Sequence, residues 1–224
     1  MAGRAGGATG RPPLTERRRA ETRMEIAEEA VRLFTAKGVA AVTAEDIAAA
    51  SGVSTRTLWR YFRSKEECVR PLLTTGLELL TERLRDSAQG QGSLAEAILS
   101  LRHEDEAAPR LRALGDLLRL CRDEPGLRAV WLEAHYDAEA AFAAMIAERT
   151  GRPADDLAVR VEAGVLNTAL RIGVEEWALR PDGSRGPSFA DTVTRALRMV
   201  DGVQVSREGW GAAVVGQGGE DQGG

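Results

Sequence analysis

Aromatic residues are scarce in this chain: Trp, Tyr and Phe together make up 4% of its 224 residues. A core built without them is filled by Ala, Leu, Val and Ile, of which Ala and Leu are strong helix formers. Cysteine is nearly absent. Cys68 and Cys121 lie far apart, which excludes a disulfide framework and points to free thiols in a reducing compartment. No apolar run approaches the roughly 18 residues that a bilayer span requires, so no membrane partner is expected. Residues 1–13 carry Arg4 and Arg11 but no apolar stretch, so they do not read as a signal peptide, and a cytoplasmic location is expected. The two His and two Cys do not stand at metal-ligand spacing, and there is no Ser elbow, Gly-rich phosphate loop or paired-carboxylate motif. Catalysis, a metal and a cofactor are therefore not expected. Glu104-Asp105-Glu106 and Asp155-Asp156 read as solvated loops or helix starts, where acids suit the helix dipole.

What is present is charge, unevenly placed. The whole chain has a formal net charge of -4. Residues 1–70 hold 13 Lys+Arg against 9 Asp+Glu, a net of +4, and the remainder holds 17 against 25, a net of -8. A basic N-terminal part on an acidic body suggests a polyanion-facing segment.

Helical periodicity dominates the rest. Residues 1–14 form an arm rich in Gly, Ala, Arg and Pro, with little to bury. Met24, Ala27, Val31 and Phe34 then recur at three- and four-residue spacing, marking an amphipathic helix from a Thr15 cap to Gly38. A short helix follows from Ala44, with Thr43 and Asp46 in near capping-box spacing. Ser54 caps a third helix to about Tyr61, and Ser64 with Glu67 starts a fourth to about Arg85, in which Pro71 predicts a kink or junction. Gln89–Ser93 reads as a linker. Further helices are predicted at 94–103, 109–122, 125–150, 154–180 and 188–203, separated by Pro- and Gly-bearing breaks, and residues 204–224 read as a Gly-rich tail. The expected fold is all-α: an N-terminal three-helix bundle over 15–70 and a helical domain over 71–203.

The segment from Thr43 to Phe62, TAEDIAAASGVSTRTLWRYF, carries the strongest signal. Gly52 suits a left-handed turn between two short helices. Ile47, Val53 and Leu58 are spaced as an apolar seam, and Ala48 permits a close crossing. This is the pattern of a helix-turn-helix, in which the first turn of the second helix reaches base edges in the major groove. Ser54, Thr55, Arg56 and Thr57 occupy that turn. Arg56 suits a bidentate contact with guanine O6 and N7, and Thr55 a thymine methyl or a base acceptor. Trp59, Arg60, Tyr61 and Lys65 follow, and no acid lies between Asp46 and Glu66. Their indole, phenol and cationic donors suit phosphates, as does the helix start at Thr43.

The string IAAASGVSTRTLWRYFRSKEECV resembles the signature of the TetR/AcrR family of transcriptional regulators. Ile47-Ala48, Gly52-Val53-Ser54, Thr57 through Phe62 and Lys65-Glu66 match it, while Trp59 stands where Tyr is more usual. The resemblance covers about residues 16–70. It implies a double-stranded DNA operator as partner, a homodimer, and a C-terminal domain for a small-molecule effector, most simply in a repressor. A regulator of the same fold without an inducer is the alternative, favoured by a solid C-terminal core over a cavity. Two C-terminal helices of each subunit form the dimer interface in such regulators. Here the corresponding residues are Gly164, Val165, Ala169 and Ile172 on the first helix and Val193, Leu197 and Val200 on the second, with Gly164 expected to allow close packing. Trp131, His135, Phe142, Met145 and Asn167 are the expected effector contacts. The phrasing of Leu111 through Leu157 is similar to actinobacterial TetR proteins thought to bind acyl-CoA-like ligands, which makes a hydrophobic, acyl-CoA-like effector the expectation.

Overall fold

A computed structural model describes residues 14–89, 107–180 and 186–202. The expected arm (apart from Leu14), the helix at 94–103, most of the 89–93 linker and the tail lie outside the described residues. Within them the chain is all helical: α1 (Leu14–Lys37), α2 (Ala44–Ala50), α3 (Thr55–Tyr61), α4 (Arg70–Gln89), α5 (Ala107–Asp123), α6 (Pro125–Thr150), α7 (Leu157–Ala178) and α8 (Phe189–Gly202). Short 3-10 turns, Val39–Ala41 and Glu66–Val69, precede α2 and α4.

Local chemistry accounts for these boundaries. Thr15 lies inside α1 rather than capping it. At its other end Gly38 adopts φ 80, a conformation open to glycine at low cost. Pro71 does mark a junction: the 3-10 turn gives way to α-helix at Arg70, so the proline falls in the first turn of α4, where its missing N–H costs no hydrogen bond. Helix α7 starts three residues later than periodicity suggests, because Asp156 accepts the Ala158 N–H at 2.7 Å and sets the first turn. Ser188 caps α8, its Oγ accepting the Asp191 N–H at 3.2 Å and donating to Asp191 Oδ2 at 2.7 Å.

The described chain divides into two compact units, with the division falling inside α4, at the start of α5 and inside α6. The first takes in residues 14–75 and 109–132. Its core joins Ile26, Ala27, Val31 and Phe34 of α1 to Val42, Ile47, Leu58, Phe62, Cys68 and Leu72. The ion pair between Arg110 of α5 and Glu28 of α1 (3.3 Å) lies in the same unit. The second unit contains the rest of α6 with α7 and α8. Phe142, Met145, Val159, Ala163, Leu166, Leu170, Val193 and Leu197 form its apolar core, against which Leu77 and Phe189 pack.

Candidate nucleic-acid interface

The site is assembled from two short helices that cannot stand alone. Seven-residue helices are marginal in isolation, so caps and the shared seam hold them. Thr43 and Asp46 form a complete capping box: Thr43 Oγ1 accepts the Asp46 N–H at 3.1 Å and Asp46 Oδ2 accepts the Thr43 N–H at 2.9 Å. Aspartate does the work usually given to Glu or Gln. The backbone and hydroxyl of Thr43 hold the Asp46 carboxyl below its ordinary pKa. Gly52 turns the chain at φ 65, and the Val53 N–H returns to Ala48 O at 3.0 Å. Ile47 and Leu58 are fully buried across the turn, with Ala48 between the helices.

Helix α3 then presents its residues on two faces. Leu58 and, just beyond, Phe62 point inward. Thr55, Arg56, Trp59 and Arg60 fall on the outward side by helical spacing; Arg56 and Arg60 are exposed, and Trp59 is 47% exposed despite being a large apolar residue. The Arg60 guanidinium lies 5.1 Å from the centre of the Tyr61 ring and donates to its hydroxyl at 3.4 Å, so the two form a joined cationic and phenolic edge.

The structure separates the predicted DNA-facing residues into two groups. Arg56, Trp59 and Arg60 are exposed, and Thr55 and Tyr61 half-buried. Thr43, Ser54, Thr57 and Lys65 are engaged within the protein. The Thr43 hydroxyl donates to Asp46 Oδ2 at 2.9 Å. Ser54 Oγ accepts the Thr57 N–H at 3.1 Å, and the two hydroxyls share a hydrogen bond of 2.9 Å. Lys65 turns inward, its Nζ donating to Val39 O at 2.7 Å and Val42 O at 2.9 Å. Capping and sealing the motif consumes donors that sequence position alone assigns to phosphate.

After α3 the chain is locked in turn. Ser64 Oγ accepts the Glu67 N–H at 3.2 Å, and Glu67 Oε2 accepts the Arg63 N–H at 2.9 Å. Cys68 is fully buried; desolvation first, then Glu66 and Glu67, push its thiol up to about 12, so it is inert.

In the second unit, His135 and Asn167 form a buried polar pair between α6 and α7. Asn167 Nδ2 donates to His135 O at 2.9 Å and faces Glu139 Oε1 at 3.4 Å. Its Oδ1 therefore meets His135 Nδ1 at 2.6 Å, and that nitrogen carries the proton in the assigned network. Burial outweighs the Asn167 contact and keeps the imidazole pKa below its ordinary value. Phe142 and Met145 sit in the apolar core of the same unit. Trp131 is buried too, in the part of α6 that belongs to the first unit.

The predicted dimer residues also divide. Val165 and Ile172 are exposed, and Gly164 is half-exposed with open space beside it. Ala169, Val193 and Leu197 are instead buried in the apolar core that α6, α7 and α8 form together. The side chain of Val200 lies outside those described. Within the chain the closely packed glycine of α7 is Gly173, where an added Cβ would stand 3.0 Å from Ala196 Cβ and 3.2 Å from Val193 Cα. Its place opposite the apolar stripe of α8 was the available signal. Leu157, Val161 and Leu179 extend the exposed stripe along α7, and Met199 is exposed on α8.

Comparison with known proteins agrees with the geometry. Residues 26–72 match the model described as bacterial regulatory proteins of the tetR family, and residues 93–203 match the MftR C-terminal domain. The chain is similar to the HTH-type transcriptional regulator TcmR of Streptomyces glaucescens, with 32% identity over 179 residues, 76% of this chain and 79% of that protein. It is also similar to MftR of Mycobacterium tuberculosis, named for transcriptional regulation of mycofactocin biosynthesis, with 28% identity covering 72% of this chain and 82% of that protein. Among solved structures it resembles Thermus thermophilus FadR in complex with lauroyl-CoA, at a TM-score of 0.47 and 22% identity, covering 90% of this chain and 100% of that one.

Proposed function

The chain belongs to the TetR family of bacterial transcriptional regulators, and from that premise we propose that it is a ligand-responsive repressor acting as a homodimer. In this reading residues 15–70 hold the operator and residues 71–203 bind the effector and the second subunit. The outward face of α3 carries the proposal: Arg56 and Arg60 exposed, Trp59 held out at 47% exposure, and Leu58 fully buried beneath them. Arg56 and Thr55 read base edges, while Trp59, Arg60 and Tyr61 hold phosphates. Thr43, Ser54 and Thr57 act behind them by fixing the helix starts.

The exposed stripe of α7 supports the dimer. Leu157, Val161, Val165 and Ile172 lie on the side opposite the buried Val159, Ala163, Leu166 and Leu170. A helix apolar on two faces needs a second partner, and one helix-turn-helix touches too few base pairs for tight specific binding. The His135–Asn167 pair beside Phe142 and Met145 supports a small effector with an apolar body and a polar group. The burial of Phe142 and Met145 in the apolar core is compatible with the second reading, a regulator without an inducer.

The test is selection of duplexes from a randomised pool by the purified protein, followed by titration of the selected complex with a long-chain acyl-CoA. Enrichment of a two-fold symmetric sequence and its release by the acyl-CoA support the proposal. Failure to enrich any sequence removes the DNA reading. Enrichment without release by acyl-CoA or other apolar ligands leaves the regulator without an inducer.

A further inference from the structure

Lysine is almost missing from this chain. Of its 30 Lys and Arg residues only Lys37 and Lys65 are lysines, so arginine fills 28 of 30 cationic positions. A lysine differs from an arginine in offering a compact ammonium with three rotatable donors in place of a planar fork. Lys37 is exposed at the end of α1. Lys65 is half-buried and spans 26 and 23 residues to reach Val39 O at 2.7 Å and Val42 O at 2.9 Å.

Those carbonyls occupy a particular place. Val39 opens the 3-10 turn before α2, and Val42 is its C-cap, next to the N-cap Thr43. Carbonyls at the end of a helical turn favour a cation. Val42 is itself buried, so a hydrogen-bond partner for its carbonyl has to come from the protein. Lys65 meanwhile stands three residues past Phe62, the C-cap of α3. One side chain thus ties the entrance of α2 to the exit of α3.

We propose that Lys65 is a positioning residue for DNA recognition, an internal strut that holds α2 and α3 at the angle their operator contacts need, and not itself a phosphate contact. The proposal rests on the DNA reading only for its consequence; the strut is a property of the free protein. It acts at both ends of the motif together, because Thr43, the N-cap of α2, follows Val42 directly and Phe62, the C-cap of α3, lies three residues before Lys65. Lys65 and Glu67 divide the task, the first facing the 39–42 turn and the second capping Arg63.

The first test uses the unmodified protein without DNA. Reductive methylation with formaldehyde and cyanoborohydride, read by mass spectrometry, compares the two lysines directly. Lys65 is expected to react at least roughly tenfold more slowly than Lys37, as a group released only by local opening does. A Lys65 rate equal to that of Lys37 in the free protein overturns the proposal, whatever the protein does on DNA. The second test measures binding of Lys65→Met and Lys65→Arg to the duplex selected by the wild type and to a random duplex. It is made at a temperature where circular dichroism shows both variants folded. The strut predicts that both variants lose selected-duplex affinity by roughly tenfold, more than random-duplex affinity. It also predicts an unchanged salt dependence. A phosphate contact predicts the opposite: a log–log salt slope reduced by about 0.9 in Lys65→Met, and rescue by Lys65→Arg. If Lys65→Met does not fold, the methylation rates still decide.

Discussion

The helix-turn-helix and the α7–α8 pair are each two helices packed together, but different forces hold them. In the first, two seven-residue helices are set by local hydrogen bonds: the Thr43–Asp46 box, the Ser54–Thr57 cap and the turn at Gly52. In the second, helices of 22 and 14 residues meet along a packed crossing at Gly173 and are closed by tertiary contacts. Arg180 of the α7 end donates to Pro187 O at 2.6 Å and to the Thr192 hydroxyl. Trp177 meets Phe189 edge-to-face at 5.2 Å. Short helices need caps, and caps are written in neighbouring residues. Long helices need faces, and which face is covered depends on what packs there.

The comparison breaks most visibly at the exposed stripe. Ile172→Glu should convert a dimer to a monomer by sedimentation and lower affinity for a two-half-site duplex by roughly a hundredfold or more, since one motif then binds alone. An unchanged dimer removes α7 from the interface. Next in size is Arg56→Ala, expected to reduce discrimination between selected and random duplexes by about 1–3 kcal/mol with the fold intact. Unchanged discrimination ends its role as a base reader. The two glycines of α7 give opposite signs. Gly173→Val should destabilise by about 1–3 kcal/mol through overpacking against Val193 and Ala196. Gly164→Ala has open space and should stabilise by roughly 0.5–1 kcal/mol, the helix preference for alanine. Chemical denaturation of both variants checks the contrast. Thr43→Ala should cost about 1 kcal/mol by loss of its cap, again read by denaturation.

The smallest effect is in pH. The folded chain holds His135 neutral with a lowered pKa, while the unfolded chain takes up a proton near pH 6.5. Its contribution is therefore complete above that pH and is lost as pH falls below it. The Asp46 pKa is lowered as well, but for a carboxylate the loss comes only as pH falls through the acid range below about 4. Thermal midpoints between pH 7 and 5 should fall in the wild type and fall less in His135→Gln. Equal slopes would mean that the buried pair does not titrate in that window.

How much was legible follows the same division. The helix-turn-helix was readable almost residue by residue, because Gly52, Ser54 and the Ile47–Leu58 seam act within about a dozen positions. Its finer assignments were not: Lys65 lies in a basic stretch, and nothing local says that its ammonium turns toward carbonyls 23 and 26 residues earlier. In the C-terminal helices the apolar residues were visible but not their partners. Ala169, Val193 and Leu197 have the same chemistry as Val165 and Ile172, yet the former are buried in their own subunit and the latter exposed.

By itself, then, the sequence determined helix class, the motif, its caps and the family, because each rests on short-range periodicity and on turn residues whose backbone preferences are intrinsic. Tertiary structure alone decided which glycine is crossed, which apolar face is left open and which lysine becomes a strut. Those outcomes depend on distances between residues far apart in the chain, and residue type does not carry a distance.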